Sequence, residues 1–310
     1  MTIKADKAAK AAYFHVVTNI GGRSPERELT IAQSARYSFL YARHVVGGGF
    51  PLGEPAIATS AKYSNDYAHF VLNGRFPAGE SAIIGSPKHA FSYSCRIIKG
   101  PWAECEAKIT TSARFGRAYA TQILRARFQA AEPAIMAEPK EAYYYALGVF
   151  KGRWIEAEPS IASDSRAACW YSENILRGRF ELGEPAIARD PGTAYIYALT
   201  VIKDRFPAGE PIIATDPELH DWYCIKFAIA PALHLVGIDH TLLHVRSNEI
   251  FLLRPMTDKP AEARLPGVIR AALTEAGYSV ASCRWTYDVD TDREYIGIEF
   301  LGRPYELAAA

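Results

Sequence analysis

Cysteine is scarce in this chain. There are five in 310 residues, an odd number, and no CxxC pair occurs among Cys95, Cys105, Cys169, Cys224 and Cys283. This pattern excludes a disulfide-stapled scaffold and the paired-cysteine zinc folds, and it points to reduced thiols in a cytoplasmic protein. Long apolar runs are missing as well; none approaches the ~20 residues of a membrane-spanning helix. The N-terminal stretch MTIKADKAAKAAYFHVV starts basic but has no apolar h-region, so neither a signal peptide nor a membrane partner is expected. No glycine-rich phosphate or dinucleotide loop and no nucleophile elbow is present. A non-enzymatic protein with no cofactor and no metal is therefore expected. Net charge is almost absent at +1.

The near-neutral total hides a polarity. Residues 1–126 hold 16 Lys and Arg against 8 Asp and Glu, a balance of +8, which leaves −7 for residues 127–310. Such a field can steer a partner or orient self-association.

Repetition is abundant. A 26-residue unit recurs eight times without a gap from Arg23 to Ala230, as in RFPAGESAIIGSPKHAFSYSCRIIKG (75–100) and RFELGEPAIARDPGTAYIYALTVIKD (179–204). Units of this length bury their apolar faces against their neighbours and build solenoids. Position 12 is Ser34, Ser60, Ser86, Ser112, Glu138, Asp164, Asp190 or Asp216, and Pro follows it in four copies, so a helix is expected from position 13 to about 25. Gly at position 26 in five copies is the expected stop, and Lys or Arg at position 25, in a partly different five, suits the negative end of the helix dipole. Tyrosine at position 19 in all eight copies and small residues at 16 and 20 form a helical core stripe. Glutamate at position 6 and isoleucine at position 9, also in all eight, mark a short α or 3₁₀ turn over positions 6–11. The fold class expected is an α-solenoid of eight short-plus-long helix units with a small C-terminal α/β domain of ββαββ type.

The string GRFPxGEPAIAxDPxxAYxYAxxVIKG resembles tandem 26-residue helical repeats of tailed-phage and prophage proteins. Its layout is similar to that of leucine-rich variant repeats, which alternate α and 3₁₀ helices. The resemblance covers about residues 23–230. It implies a phage or mobile-element setting and a binding role, with no single function and no catalytic residues.

Several rows of the repeat carry chemistry. The glutamates could bind cations, but Arg stands five residues before Glu in six copies, and an ion pair is the simpler reading. The tyrosines could stack bases, but they lie on the core stripe. Position 14 is Arg36, Lys62, Lys88, Arg114, Lys140 and Arg166 in six successive copies, beside Tyr37, Tyr63, His89 and Phe115 in the first four. A cation at the second residue of a helix opposes the dipole. This row is therefore either an anion-binding stripe or a set of cations paired with carboxylates of the adjacent loop. Position 18 varies, and Tyr144, Trp170, Ile196 and Trp222 form a candidate apolar ridge for a protein partner unless the short helices cover it.

Residues 1–22 are expected to cap the array with a helix at about 4–18, residues 23–230 to form the solenoid, and residues 231–310 to form the small α/β domain. In the last, HTLLHVR and NEIFLLRP flank Ser247-Asn248, AEARLPGVIRAALTEAG (261–277) reads as a helix, and SVASCRWTYDV and REYIGIEFLG form a second hairpin. Asp288, Asp290 and Asp292 lack the Gly and distal Glu of a calcium loop, and His234, His240 and His244 fall on a strand pattern that separates them. The leading expectation is a binding or scaffold protein with a protein partner, such as a phage-encoded inhibitor of a host factor, with homo-oligomerisation through the C-terminal domain as a further option. The alternatives are a nucleic-acid-binding solenoid using the basic and aromatic stripe, and an enzyme or small-ligand sensor with its site in 232–306.

Overall fold

The computed structural model describes residues 3–224, 226–227, 243–246, 249–253, 265–275, 280–288 and 293–300. It is an α-solenoid followed by a small α/β fold. Two compact units divide the chain, Met1–Leu176 and Arg177–Ala310, so the second holds the last two repeats together with the α/β fold.

Each repeat pairs a short helix with a long one. The short helix runs from the invariant Glu to the invariant Ile in Glu54–Ile57, Glu184–Ile187 and Glu210–Ile213. It begins earlier, at position 3, in Pro25–Ile31, Pro77–Ile84 and Ala103–Ile109, and a 3₁₀ turn precedes it at Gln129–Ala131 and Ile155–Ala157. The long helix starts at position 13, as expected. Ser34 and Ser60 accept the N–H of Tyr37 and Tyr63 at 3.4 Å, and Asp164 and Asp190 accept that of Ala167 at 2.9 Å and Thr193 at 2.8 Å.

The second half of the long helix differs from expectation. Seven α-helical residues end at the invariant tyrosine, as in Ala35–Tyr41 and Pro139–Tyr145, and a five-residue π turn follows, as in Ala42–Val46 and Ala146–Phe150. The stop is position 25 and not the glycine at 26. Asn73, Lys99, Arg125, Lys151, Arg177 and Lys203 adopt φ between 48° and 59°, and Gly47 adopts 69°. The N–H groups of Lys151 and Gly152 both turn back to the carbonyl of Ala146, the first residue of the wide turn. Glycine one residue later imitates the usual left-handed cap, which is why the sequence misplaces the stop.

The invariant positions meet in one network inside each repeat. The hydroxyl of Tyr145 accepts the N–H of Phe128 at 2.7 Å and donates to Glu132 Oε1 at 3.0 Å. Arg127 grips both oxygens of Glu132 at 2.9 Å. The tyrosine–glutamate bond recurs in all eight copies, from Tyr41–Glu28 to Tyr223–Glu210. The bidentate arginine is present in the six copies that have Arg at position 1. Arginine holds the Glu28, Glu80, Glu132 and Glu184 carboxyls below the ordinary range, with the tyrosine hydroxyl assisting. Burial pushes the Tyr145 hydroxyl up to about 12.

Within the first unit, successive repeats lock through the same tyrosine. Its ring packs on the aromatic residue at position 2 of the next copy: Tyr41 on Phe50, Tyr93 on Trp102 and Tyr145 on Trp154, with centroids 5.0–5.1 Å apart. Small residues at position 16 meet small residues at position 5 of the next copy. A Cβ on Gly79 would collide with Ser64 and Phe76, and one on Gly116 with Ala131.

The N-terminal helix Ile3–His15 continues into a π turn, Val16–Ile20, closed by left-handed Gly21. It is the second half of a repeat, aligned with Ser38–Gly48 through its terminal Gly-Gly. Tyr13 packs on Tyr37 at 5.7 Å, and Asp6 accepts the Ser34 hydroxyl at 2.6 Å.

In the second unit, β1 (Leu243–Arg246), β2 (Glu249–Leu253), β3 (Val280–Asp288) and β4 (Arg293–Phe300) form an antiparallel sheet in the order β1-β2-β4-β3, and the helix Leu265–Glu275 lies between β2 and β3 in the chain. Ile269 and Leu273 of the helix and Val280, Ile296 and Ile298 of the sheet are buried. This is the ββαββ arrangement expected from the sequence.

Candidate functional site

Ile at position 9 and Tyr at 19 are packed inside, and Glu at 6 is tied to that tyrosine and, in six copies, to a half-exposed Arg at position 1, which leaves the positions that vary and face outward as the candidate site. In the first unit the long helices of consecutive repeats pack side by side, which sets equivalent positions in rows. Positions 14 and 18 lie one helical turn apart on the same face.

All six basic residues of position 14 are exposed: Arg36, Lys62, Lys88, Arg114, Lys140 and Arg166. Lys140 has a carboxylate partner in the adjacent loop, Asp164, at 3.7 Å. Among the described residues the other five make no ion pair. Arg36, Lys62 and Arg114 lie over the rings of Tyr37, Tyr63 and Phe115 at 5.5, 5.3 and 5.7 Å. Burial and the neighbouring Lys88 hold the His89 imidazole below its ordinary range, with Lys62 adding to this and Asp66 opposing it.

The rings beside these cations do not face solvent freely. Tyr37 is buried, and Tyr63, His89 and Phe115 are half-buried. Tyr63 packs on Phe39 of the previous repeat at 6.1 Å and Phe115 on Phe91 at 6.0 Å. The row expected to interleave charge and aromatic surface thus separates into an outer line of cations and an inner line of interlocking rings.

At position 18, Tyr144 is 41% exposed and Trp170 is half-buried in the first unit. In the second unit Ile196 and Trp222 are exposed, at 46% and 48%. Tyr144 belongs to a cluster that the sequence did not single out. Tyr143, Tyr144 and Trp170 have ring centroids 5.0–6.1 Å apart, the Arg117 guanidinium lies 5.4 Å from the Tyr144 ring, and Leu147 adds a side chain 42% exposed. Arg117 is held by Glu141 at 2.5 Å and the Tyr143 hydroxyl by Asn174 at 3.2 Å. The variability of position 17 (Phe39, Asn65, Phe91, Arg117, Tyr143, Cys169) was the available signal. An open groove of about 490 Å³ beside this cluster is lined by Ser112, Arg114, Glu138 and Glu141, among others.

No group of three metal-ligating side chains occurs among the described residues. His234, His240, Asp290 and Asp292 lie outside them; His244 falls within β1 and Asp288 ends β3. No helix among the described residues is long and apolar enough to cross a membrane. No protein-family model and no curated protein matches the chain.

Proposed function

We propose that this chain is a non-enzymatic binding protein that engages a protein partner through the outer face of its long helices. One observation carries the reading: large apolar side chains stand exposed at a variable position, while every invariant position is committed to the interior. Aromatic and arginine side chains gathered on an outer face, as at Arg117, Tyr144 and Trp170, have the composition of interface hot spots. The resemblance of the repeat to phage and prophage repeats supports a partner in the host cytoplasm and a role in redirecting or inhibiting it. Affinity capture from a bacterial lysate after nuclease treatment tests this. A stoichiometric protein retained by the native chain and lost with the Tyr144→Ala/Trp170→Ala variant is expected. Recovery of nucleic acid alone, released by salt, would instead favour the basic row as a nucleic-acid site.

A further inference from the structure

We infer that the outer face of the first unit docks an acidic protein segment carrying apolar side chains, an inference that rests on the protein-binding reading above. The sign of the partner follows from the row at position 14. Five cations stand free of ion pairs among the described residues, each at a helix start where the dipole disfavours positive charge. A row kept against that local preference calls for negative charge opposite it.

The class of partner follows from what surrounds the row. Single-stranded nucleic acid is held by rings that offer a free face to each base. Here the rings beside the cations are wedged against the preceding repeat, Tyr63 on Phe39 and Phe115 on Phe91. A duplex presents a phosphate backbone with no apolar group to cover Tyr144, Leu147 and Trp170, which lie among the cations Arg114, Lys140 and Arg166. A polypeptide supplies carboxylates and apolar side chains from one chain.

Spacing agrees. Packed helix axes lie about 8–10 Å apart, so one cation recurs about every 9 Å. A peptide in the polyproline II conformation rises about 3.1 Å per residue with three residues per turn, which returns every third side chain to the same face about every 9 Å, one per rung. A segment of about 15–18 residues reaches all six rungs.

Fluorescence anisotropy with the full chain tests the inference. The probes are a labelled peptide of about 18 residues with Glu at every third position and Leu or Phe between, the same peptide with Gln for Glu, the same with Ser for the apolar residues, and single-stranded RNA and duplex DNA of similar length. The Glu/apolar peptide is expected to bind most tightly and to weaken with salt. Both peptide controls, the Lys62→Glu/Lys88→Glu/Arg114→Glu variant and the Tyr144→Ala/Trp170→Ala variant should each weaken it by at least about tenfold. The milder Lys62→Gln/Lys88→Gln/Arg114→Gln variant gives the same direction if charge reversal disturbs folding, which circular dichroism checks.

Equal affinity for the Gln peptide, tighter binding of RNA or DNA, indifference to the variants, or no peptide binding each overturns the inference. If the acidic peptide fails while nuclease-resistant, Tyr144/Trp170-dependent protein capture persists, this inference falls and the broader reading stands. Loss of both removes both.

Discussion

Replacing Tyr145 by phenylalanine removes one oxygen atom and leaves the ring in place against Trp154. That oxygen accepts the buried N–H of Phe128 at 2.7 Å and donates to Glu132 at 3.0 Å. An orphaned buried donor costs about 1–3 kcal/mol, and a lost bond to a charged group about 1.5–3 kcal/mol. Arg127 still binds both oxygens of Glu132, so the lower end of the second figure applies. The expected loss is about 3 kcal/mol. Tyr144, one residue earlier, makes no hydroxyl hydrogen bond among the described residues, and Tyr144→Phe should change stability by less than about 0.5 kcal/mol. Urea denaturation of the two variants gives the comparison. Amide exchange localises the damage, because a solenoid couples each repeat to its neighbours alone and protection should fall first around repeat five. If Tyr145→Phe is no more destabilising than Tyr144→Phe, the network does not stabilise the repeat and the reasoning fails.

Three further outcomes follow from the same geometry. Glu28, Glu80, Glu132 and Glu184 are held below the ordinary glutamate range chiefly by their arginines, so they add stability above about pH 4.3 that is lost as pH falls through their lower folded values. Urea midpoints should decline from about pH 5 downward, and a flat profile to about pH 3 would contradict this. Lys151 holds a left-handed backbone at φ 56°, so Lys151→Gly should raise stability by about 1 kcal/mol, and a loss on thermal melting would refute the strain argument. Gly79 abuts Ser64 and Phe76 where a Cβ has no room, so Gly79→Ala should destabilise by about 1–3 kcal/mol, while Gly152→Ala, in open space, should change little.

Much of this was legible in the chain. The helix start after position 12, the core tyrosine and the Arg–Glu spacing all report local geometry and fold as their spacing indicates, although the side chain at position 12 caps the helix in five copies and not at Ser86, Ser112 or Glu138. The ββαββ pattern at the C-terminus was legible for the same reason, since alternation and helical periodicity show which residues share a face. The half-repeat at the N-terminus was hidden because His15 stands where the eight full copies carry their invariant tyrosine. Its Gly21-Gly22 pair was the clue.

By itself the sequence determined the number of repeats, the start of each long helix and the core tyrosine and isoleucine, because these depend on spacings within one copy. Only the tertiary structure decided the π turn closed by a left-handed lysine or arginine, the hydroxyl that bonds within its own repeat while its ring covers the next, and the separation of position 14 from position 15. Those outcomes depend on which atom of one repeat meets which atom of another. Periodicity places side chains on a face, and contact across repeats decides whether a ring on that face is left open or filled by its neighbour.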